Sequence, residues 1–270
     1  MMNFSTDEIA SYKQLYERDG YVGGVPVLSR ADAAHHRAAL TSAEARFGSL
    51  HYRSKAHTIL TSPYQLATLA HVLDMVEAMI GPNILLYNAT YIIKEPQTPS
   101  FVSWHQDLTY WGLSHDDQVT MWLALSPATA QSGCMKMIPG SHKHGRFDHQ
   151  QTTDQDNVLL QGQTVTNVPE ERAKLCPLAP GEASFHHGWT LHSSQANESD
   201  DRRIGLNVQF LAPHVRQTKH NLDTAMLVRG VDAYQHFDTD KAAQRDLDPD
   251  DVAHQKALEE RYIAIAGSRN

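Results

Sequence analysis

The sequence predicts a mainly β protein with flanking helices, because three stretches of the chain differ in their residue patterns. Apolar residues recur at helical spacing over about residues 1–83. Short β-branched and aromatic runs, separated by Gly, Pro, Asp and Ser, fill about 84–213 and are typical of an antiparallel double-sheet core. A polar, partly helical tail follows over 214–270. We expect a single domain over 1–270, since the chain has no internal repeat and no linker rich in Pro, Gly or Ser.

The sequence of the helical part contains residues that indicate where helices begin and end. Residues 5–8, Ser-Thr-Asp-Glu, predict a capping box for a first helix, which Gly20 ends. Residues 21–28 predict a short strand, and Ser29 is placed to cap a second helix. Residues 63–80 predict one further amphipathic helix, closed by a Gly-Pro pair.

The central part predicts six strand-like runs. They are residues 84–94, 101–111, 119–125, 135–138, 182–185 and 203–211. The polar stretch 142–167, between the fourth and fifth runs, predicts an excursion or a lid loop.

Charge and composition narrow the class of partner. The formal net charge is −8, which argues against nucleic acid or an anionic membrane as the main partner. Cys134 and Cys176 are too few for a disulfide framework, and the first residues lack the features of a signal peptide. The longest apolar run, 84–93, is too short to cross a bilayer. We therefore expect a soluble, cytoplasmic protein, and a homo-oligomer is left open.

A His-x-Asp pair stands in the second strand-like run. Because side chains at i and i+2 of a strand point to the same face, we expect His105 and Asp107 to project together. One imidazole nitrogen and one carboxylate oxygen supply two ligands of the 2-His-1-carboxylate site of non-haem iron(II) oxygenases. The pattern alone is weak, because residues 115–117, His-Asp-Asp, repeat it. That copy follows Gly112 and Ser114 in an acidic turn, where the side chains need not converge.

The third ligand must come from a distant strand, and His192 is the preferred candidate. It precedes the polar turn 197–201 and the strand-like run that begins near Arg203. A guanidinium binds a carboxylate through two parallel hydrogen bonds, so this arginine is suited to a dicarboxylate co-substrate. His186 and His187 are rival ligands, but they lack an arginine at a suitable offset.

Several segments together are similar to one known family. They are residues 104–107, residues 119–125, Gly133 with residues 138–142, and the run from His192 through Ser194, Asn197 and Ser199 to Arg203. From its helical start to about Pro213, the sequence resembles the phytanoyl-CoA dioxygenase family of iron(II)/2-oxoglutarate oxygenases. In that family the distal histidine and the co-substrate arginine are eleven positions apart, as His192 and Arg203 are here. The offset favours Arg203 over Arg202.

The resemblance implies a double-stranded β-helix core of the jelly-roll, cupin-like type. It also implies iron(II) bound by His105, Asp107 and His192, 2-oxoglutarate held by Arg203 and Ser194, and O2 as the other co-substrate. Related halogenases have a small residue where this chain has Asp107. We therefore expect hydroxylation of an aliphatic C–H bond, with release of succinate and CO2.

Two further residues are candidates through the resemblance. Lys94 and Asn88 fall on a strand that lines the pocket in relatives, so they are weaker candidates for holding the co-substrate; a surface lysine and a structural asparagine are the alternatives. The aromatic residues Trp104, Tyr110 and Trp122 are assigned to the wall of the substrate pocket, although their residue type alone fits the core equally well.

The substrate and two other classes of function stay open. A small organic metabolite is preferred to a bulky CoA ester, because no basic patch for a nucleotide phosphate is evident. Arg53 and Lys55 are placed to meet an anionic group, although a solvated loop pair is the preferred interpretation. A zinc-dependent hydrolase would use the same three ligands but would leave the arginine without a purpose. A non-catalytic β-sandwich binding module would carry the three ligands as a vestige.

Overall fold

Six α-helices flank the β structure in the part of the chain that the computed structural model describes, residues 3–152, 154–159, 163–221 and 223–267. They are α1 (Thr6–Asp19), α2 (Arg30–Phe47), α3 (Thr61–Ala67), α4 (Ala70–Ile80), α5 (Leu108–Trp111) and α6 (Pro249–Ala266). The longest, α2 and α6, have 18 residues each and carry charged side chains. Within these described ranges, no helix has both the length and the apolar character needed to cross a membrane.

The first two helices begin at the predicted caps. The Ser5 hydroxyl accepts a hydrogen bond from the Glu8 N–H, while the Glu8 carboxylate accepts one from the Ser5 N–H. The Ser29 hydroxyl likewise accepts from the Asp32 N–H at the start of α2. Each cap satisfies donors that the first helical turn would otherwise leave without partners.

The single helix predicted over residues 63–80 is wrong, because the structure has two helices there. The Thr68 hydroxyl and the Thr68 N–H both donate to the Tyr64 carbonyl oxygen, which ends α3. Leu69 then takes an extended backbone conformation (ψ 131°) before α4 begins. The apolar periodicity continues across this break, so spacing alone did not reveal it.

The described residues form thirteen strands. They are β1 (Tyr21–Pro26), β2 (Ile84–Lys94), β3 (Val102–His105), β4 (Gln118–Ala124), β5 (Met135–Met137), β6 (His149–Gln151), β7 (Gln163–Val165), β8 (Lys174–Cys176), β9 (Glu182–His186), β10 (His192–Ser194), β11 (Arg203–Leu211), β12 (Thr224–Arg229) and β13 (Asp238–Thr239). The major sheet has the order β1-β9-β4-β11-β2-β12-β13, and the minor sheet has the order β3-β10-β5-β8. Neither sheet closes on itself, and β6 and β7 form a separate pair. The protein is thus mainly β with flanking helices, as predicted.

The two faces of β11 have different surroundings. One face packs with the helices in the main hydrophobic core, through Ile204, Leu206, Val208 and Phe210. Burying each large aliphatic side chain contributes about 1.5–3 kcal/mol, so this face anchors the sheet to the helical layer. The other face carries Arg203, Asn207 and Gln209 toward a cavity between the two sheets. Because successive side chains of β11 point to opposite faces, the strand has one face in the hydrophobic core and the other in the cavity.

The strand predicted over residues 101–111 is only partly correct. Pairing stops at His105, and Asp107 has helical dihedral angles (φ −57°, ψ −46°) at the start of α5. The Tyr110 N–H donates to the Asp107 carbonyl oxygen at 3.0 Å, which closes a helical turn. His105 and Asp107 still lie side by side, but a strand-to-helix turn brings them together rather than simple strand alternation.

The polar regions contain more structure than their composition indicated. The predicted excursion at 142–167 includes the β6–β7 pair, although residues 153 and 160–162 lie outside the described residues. The predicted polar tail supplies β12, which pairs with β2, and the helix α6. Asp248 caps α6 and Pro249 occupies its first turn. The tail therefore extends the major sheet and closes one side of the cavity.

Candidate active site

Three side chains that can bind a metal meet between the two sheets. His105 is the last residue of β3, Asp107 lies two residues further on, and His192 is the first residue of β10. β3 and β10 are antiparallel neighbours with His105 directly opposite His192, which brings together residues far apart in the chain. One ligand atom from each of the three lies within 4.8 Å of the others; in the described part of the chain, no other such group of three or more occurs.

Backbone carbonyls orient the two histidine rings. The Nδ1–H of His105 donates to the Ser103 carbonyl oxygen, and the Nδ1–H of His192 donates to the Thr190 carbonyl oxygen, both at 2.9 Å. This tautomer leaves a lone pair on each Nε2, at 3.4 and 3.7 Å respectively from Oδ1 of Asp107. Metal-binding histidines usually have their other ring N–H fixed in this way.

The protonation states of the group suit a divalent metal. Burial raises the pKa of Asp107, but the surrounding histidines, with His192 foremost, outweigh burial and hold that pKa well below its ordinary value. Burial first, and then the neighbouring His105, lower the pKa of His192 well below its ordinary value. Asp107 is therefore anionic and His192 neutral at neutral pH, as metal ligands must be.

The donor set fits iron(II). Two imidazole nitrogens and one carboxylate oxygen form the 2-His-1-carboxylate set, which leaves positions free for a chelating co-substrate. The second His-x-Asp copy, at 115–117, belongs to a surface cluster instead. There the His115 ring packs 5.3 Å from the His214 ring, and Asp117 lies 2.9 Å from the His214 Nε2.

Arg203 presents unused hydrogen-bond donors inside the cavity wall. Its side chain is fully buried, and one Nη1–H donates to the Gly133 carbonyl oxygen at 3.0 Å. Its Nε and Nη2 groups are also buried, yet they find no hydrogen-bond partner among the described residues. Burial lowers the pKa of Arg203 to about 10, so the group is still cationic at neutral pH. A buried cation with free donors fits the far carboxylate of 2-oxoglutarate.

The surroundings of Arg203 are shaped to hold its guanidinium in place. The guanidinium carbon lies 5.1 Å from the centre of the Trp122 ring. A Cβ atom at Gly205 would lie 2.0 Å from that indole, so only glycine leaves room for it across β11. Arg202 points to the opposite side, where it pairs with Glu44 and Glu95. The geometry thus favours Arg203 over Arg202 as the cavity arginine.

Ser194 lines the cavity, but Lys94 has a different position from the one predicted. The Lys94 amino group lies 2.7 Å from the Ser194 hydroxyl oxygen and 3.2 Å from the Ser194 carbonyl oxygen, and it also contacts the Gln195 carbonyl oxygen. Its hydrogen-bonding capacity is therefore taken up by protein groups. The prediction that Lys94 holds the co-substrate directly is corrected. Lys94 instead makes hydrogen bonds to the segment that carries Ser194 and holds that segment in position.

Asn88 lines the cavity at a level remote from Arg203. Strand pairing places Lys94 opposite Arg203, and Asn88 lies six residues back along β2, roughly 20 Å at the usual rise of a strand. The Asn88 Oδ1 accepts a hydrogen bond from the Lys55 N–H at 2.7 Å. Asn88 is instead level with Gln209 and Thr120 on the neighbouring strands, and the Thr120 hydroxyl contacts Asp107, so Asn88 lies nearer the metal end of the cavity.

The cavity holds about 920 Å³ of space, including the solvent at its mouth. Its wall includes the three metal-capable residues, Arg203 and Ser194, and otherwise consists mainly of uncharged side chains. The polar and aromatic ones are Tyr52, Ser54, Asn88, Thr90, Tyr110, Trp111, Trp122, His186, Ser193, Asn207, Gln209 and Tyr262. Tyr110 and Trp122 thus lie where the sequence predicted them.

Trp104 lies on the other face of β3 and not in the cavity. It packs in a hydrophobic cluster with Ile138, Val165 and Leu191. Because Trp104 and His105 are adjacent on a strand, their side chains point to opposite faces. The prediction that Trp104 forms part of the pocket wall is corrected for this reason.

The wall also contains residues that were not predicted, among them Tyr52, Tyr262 and Ala266. Tyr262 and Ala266 come from α6, where Leu258, Tyr262 and Ile265 have the i, i+4, i+7 spacing that could have revealed a buried face. Tyr52 has a left-handed backbone (φ +57°), which no sequence signal indicated. Burial raises the pKa of its phenol, which lies close enough to Arg203 and Asp107 for both charges to act on it.

Both interpretations of Arg53 and Lys55 are wrong. The Arg53 guanidinium pairs with the Glu259 carboxylate of α6 at 2.7 Å. The Lys55 side chain is 1% exposed, and its ammonium donates to backbone carbonyls and to Asp240. These two cations therefore form ion pairs that attach the tail to the rest of the domain. They form neither a solvated pair nor a site for an anionic ligand.

Several known proteins are similar to this chain. The sequence model of the family described as phytanoyl-CoA dioxygenase (PhyH) matches residues 4–205. A probable alpha-ketoglutarate-dependent hypophosphite dioxygenase from Stutzerimonas stutzeri is 29% identical over 143 residues, which are 52% of this chain and 50% of that protein. The peroxisomal phytanoyl-CoA dioxygenase of Homo sapiens is 26% identical over 152 residues, which are 54% of this chain and 45% of that protein.

A solved structure is similar over nearly its whole length. The non-haem monooxygenase ThoJ in its apo form has a TM-score of 0.81 and 26% identity, covering 93% of this chain and 97% of that one. In contrast, the chain spans about half the length of the curated relatives that it matches. The family match nevertheless extends over most of the sequence, from α1 into β11. The resemblance seen in the motifs is therefore confirmed: the chain belongs to the phytanoyl-CoA dioxygenase family.

Proposed function

We propose that the protein is an iron(II)- and 2-oxoglutarate-dependent dioxygenase that hydroxylates an aliphatic C–H bond of a small organic molecule. The two facing sheets would be its double-stranded β-helix core. One observation carries the proposal: a buried two-histidine, one-aspartate group shares a cavity with a buried arginine that has unused donors. This combination suits a metal that binds a dicarboxylate chelator.

The metal ligands in this proposal are His105, Asp107 and His192. Their backbone-fixed rings and single anionic carboxylate would give iron(II) a net charge of +1 at one side of the cavity. When bound, iron and 2-oxoglutarate would supply the oxidising chemistry, in which O2 gives one oxygen atom to succinate and one to the substrate as CO2 is released. The cavity walls limit the access of water to this centre.

Arg203 would bind the far carboxylate of 2-oxoglutarate through its free Nε–H and Nη2–H groups. Pairing the guanidinium with an anion removes the cost of an uncompensated buried charge. Ser194, held by Lys94, lies at the same end of the cavity and would add a hydroxyl contact. A zinc hydrolase is less well supported, because it gives this arginine no role.

The rest of the cavity favours an uncharged substrate. The Tyr110 hydroxyl and the Gln209 Oε1 are buried and find no hydrogen-bond partner among the described residues, so they offer one donor and one acceptor to a ligand. The nearby cations Arg53 and Lys55 are engaged by acidic residues. A small, neutral molecule with hydroxyl or carbonyl groups therefore suits the site better than a CoA ester does.

The proposal is tested by incubating the purified protein with iron(II), ascorbate, 2-oxoglutarate and a panel of neutral metabolites. We expect O2-dependent formation of succinate, stimulated by at least one compound whose mass increases by one oxygen atom. Succinate formation that is independent of added iron, or hydrolytic products formed with zinc, would contradict the proposal. Zinc-loaded protein, assayed in parallel, is the control.

A further inference from the structure

The two carboxylate oxygens of Asp107 face different partners. Oδ1 points toward the other ligands, at 3.4 Å from His105 Nε2 and 3.7 Å from His192 Nε2. Oδ2 points away from that space, at 3.3 Å from His186 Nε2 and 3.3 Å from the Thr120 hydroxyl oxygen. The carboxylate is thus divided between a metal-facing oxygen and a protein-facing oxygen.

The partners of Oδ2 lie on the rigid major sheet. Thr120 of β4 and His186 of β9 are directly opposite each other, and both side chains are fully buried. The Gln118 Nε2–H donates to the Thr120 hydroxyl oxygen at 2.7 Å, which leaves the Thr120 O–H free to donate to Asp107. Two donors on neighbouring strands therefore converge on one oxygen atom.

The tautomer of His186 follows from its surroundings. Its Nδ1 is buried and finds no hydrogen-bond partner in the described part of the chain. A proton on Nδ1 would be left unsatisfied, and the Nε2 lone pair would then face an anionic oxygen. The favourable arrangement therefore has the proton on Nε2, donated to Oδ2. In that state Nε2 has no lone pair with which to bind a metal.

We infer that His186 is a positioning residue that, with Thr120, holds Oδ2 of Asp107 so that the carboxylate binds the metal through Oδ1 alone. The inference rests on the proposed metal site and adds a residue that its ligand set does not contain. A carboxylate fixed in this way cannot swing to chelate the metal through both oxygens. One more coordination position then stays available to the co-substrates.

The test compares the metal affinities of the protein and three variants, with Ni(II) as a redox-inert probe in calorimetric titrations. His186→Leu removes the donor but keeps apolar bulk, and we expect a roughly 10- to 100-fold loss of Ni(II) affinity, the usual effect of removing a partner of a metal ligand. His186→Gln restores an N–H group and should recover most of that loss. Thr120→Val should weaken binding less, and it replaces the leucine variant in the test if that variant does not fold.

His187→Gln is the matched control, because His187 is the next residue and belongs to another cluster. Its Nδ1 accepts a hydrogen bond from the Trp189 N–H, and its ring packs against Tyr16. We expect this variant to bind Ni(II) as the parent does. Unfolding temperatures without metal show whether a variant has lost affinity only by losing stability.

Each outcome separates this inference from the proposed function. Parent protein that binds no Ni(II) contradicts the metal site itself. Parent protein that binds Ni(II) while folded His186→Leu and Thr120→Val bind it equally well overturns only the role of His186. If His186 were instead a fourth ligand, replacing it with glutamine would shift the visible bands of the Co(II)-loaded protein; we expect those bands to stay unchanged.

Discussion

The two ends of the cavity satisfy their charges in opposite ways. At the metal end, Oδ2 of Asp107 accepts hydrogen bonds from His186 and Thr120, while Oδ1 faces the Nε2 atoms of the two histidine ligands. At the other end, the charge of Arg203 has one carbonyl partner, and two of its nitrogens have none among the described residues. The anionic centre is therefore organised before any ligand binds, while the cationic centre depends on a ligand to satisfy it.

This difference has a structural origin. The metal end is built from cross-strand neighbours, such as His105 opposite His192, so the backbone register fixes its geometry. At the arginine end, packing rather than strand register fixes the geometry. The Trp122 ring packs against the guanidinium, and Gly205 leaves room for the indole. Changes at the metal end should therefore abolish function, and changes at the arginine end should mainly alter the 2-oxoglutarate requirement.

The largest effect is expected from Asp107→Ala. Removing the only carboxylate of the metal group should abolish substrate-dependent succinate formation and lower Ni(II) affinity by more than about 100-fold. The control is Asp116→Ala, which removes an acid from the discounted surface copy of the motif. Near-normal succinate formation by Asp107→Ala would show that the charge of Asp107 is not needed at the metal end.

Arg203→Met should weaken the binding of 2-oxoglutarate at the arginine end of the cavity and leave the metal end unchanged. Loss of a charge-assisted pair worth about 3 kcal/mol predicts a roughly 100-fold higher half-saturating concentration of 2-oxoglutarate, with unchanged Ni(II) affinity. The unfolding temperature of the ligand-free variant should rise, because methionine replaces a buried cation that lacks partners. Arg202→Met is the control, since Arg202 points outward to Glu44 and Glu95. An unchanged 2-oxoglutarate requirement in Arg203→Met would remove the distinction between the two ends.

Lys94→Met should change how stability depends on pH. Burial first, and then Arg203, lower the pKa of Lys94 to about 6 from 10.5. Between these values the unfolded chain binds a proton that the folded protein does not, so the free energy of unfolding rises with pH. The variant should lose this increase in the free energy of unfolding, as measured by urea unfolding at pH values between about 6 and 10.5. Lys136→Met on the minor sheet is the control, and equal slopes in parent and Lys94→Met would show that Lys94 stays protonated when buried.

The smallest effect is expected from Tyr110→Phe, which alters the wall between the two ends. Removing one unpartnered hydroxyl should raise the KM of a neutral substrate by about 2- to 12-fold, the value of one hydrogen bond. Metal and 2-oxoglutarate affinities should not change. Tyr234→Phe, at an exposed tyrosine, serves as the control. An equal change in 2-oxoglutarate affinity would place the Tyr110 hydroxyl in the co-substrate site.

The structure brings together the central residues that the sequence predicted, but one of the reasons for that prediction was wrong. His105 and Asp107 were paired by strand alternation, although Asp107 starts a helical turn. Most strands of the major sheet were predicted from their β-branched and aromatic runs, since strands such as β2, β4 and β11 are buried along nearly their whole length. The arginine offset favoured His192 over His186 as a ligand, but the role of His186 depends on the cross-strand register, which the sequence does not show.

The tail was the least predictable region. Its composition is polar because β12 extends the sheet and α6 covers the core with one narrow face, on which Leu258, Tyr262 and Ile265 are buried. Its attachment depends on charged pairs such as Arg53 with Glu259, which join residues about two hundred positions apart. Long-range pairs of this kind leave no local pattern in a sequence.

An anaerobic titration of the protein with iron(II) and then 2-oxoglutarate, followed by visible absorbance, tests whether the metal and the co-substrate share this cavity. We predict one iron per chain and a metal-to-ligand charge-transfer band that appears only when 2-oxoglutarate is added. The band should be absent in Asp107→Ala and should need far more 2-oxoglutarate in Arg203→Met. Binding of 2-oxoglutarate that is equally tight without metal, or a band unaffected by both substitutions, would contradict a shared metal and co-substrate site in this cavity.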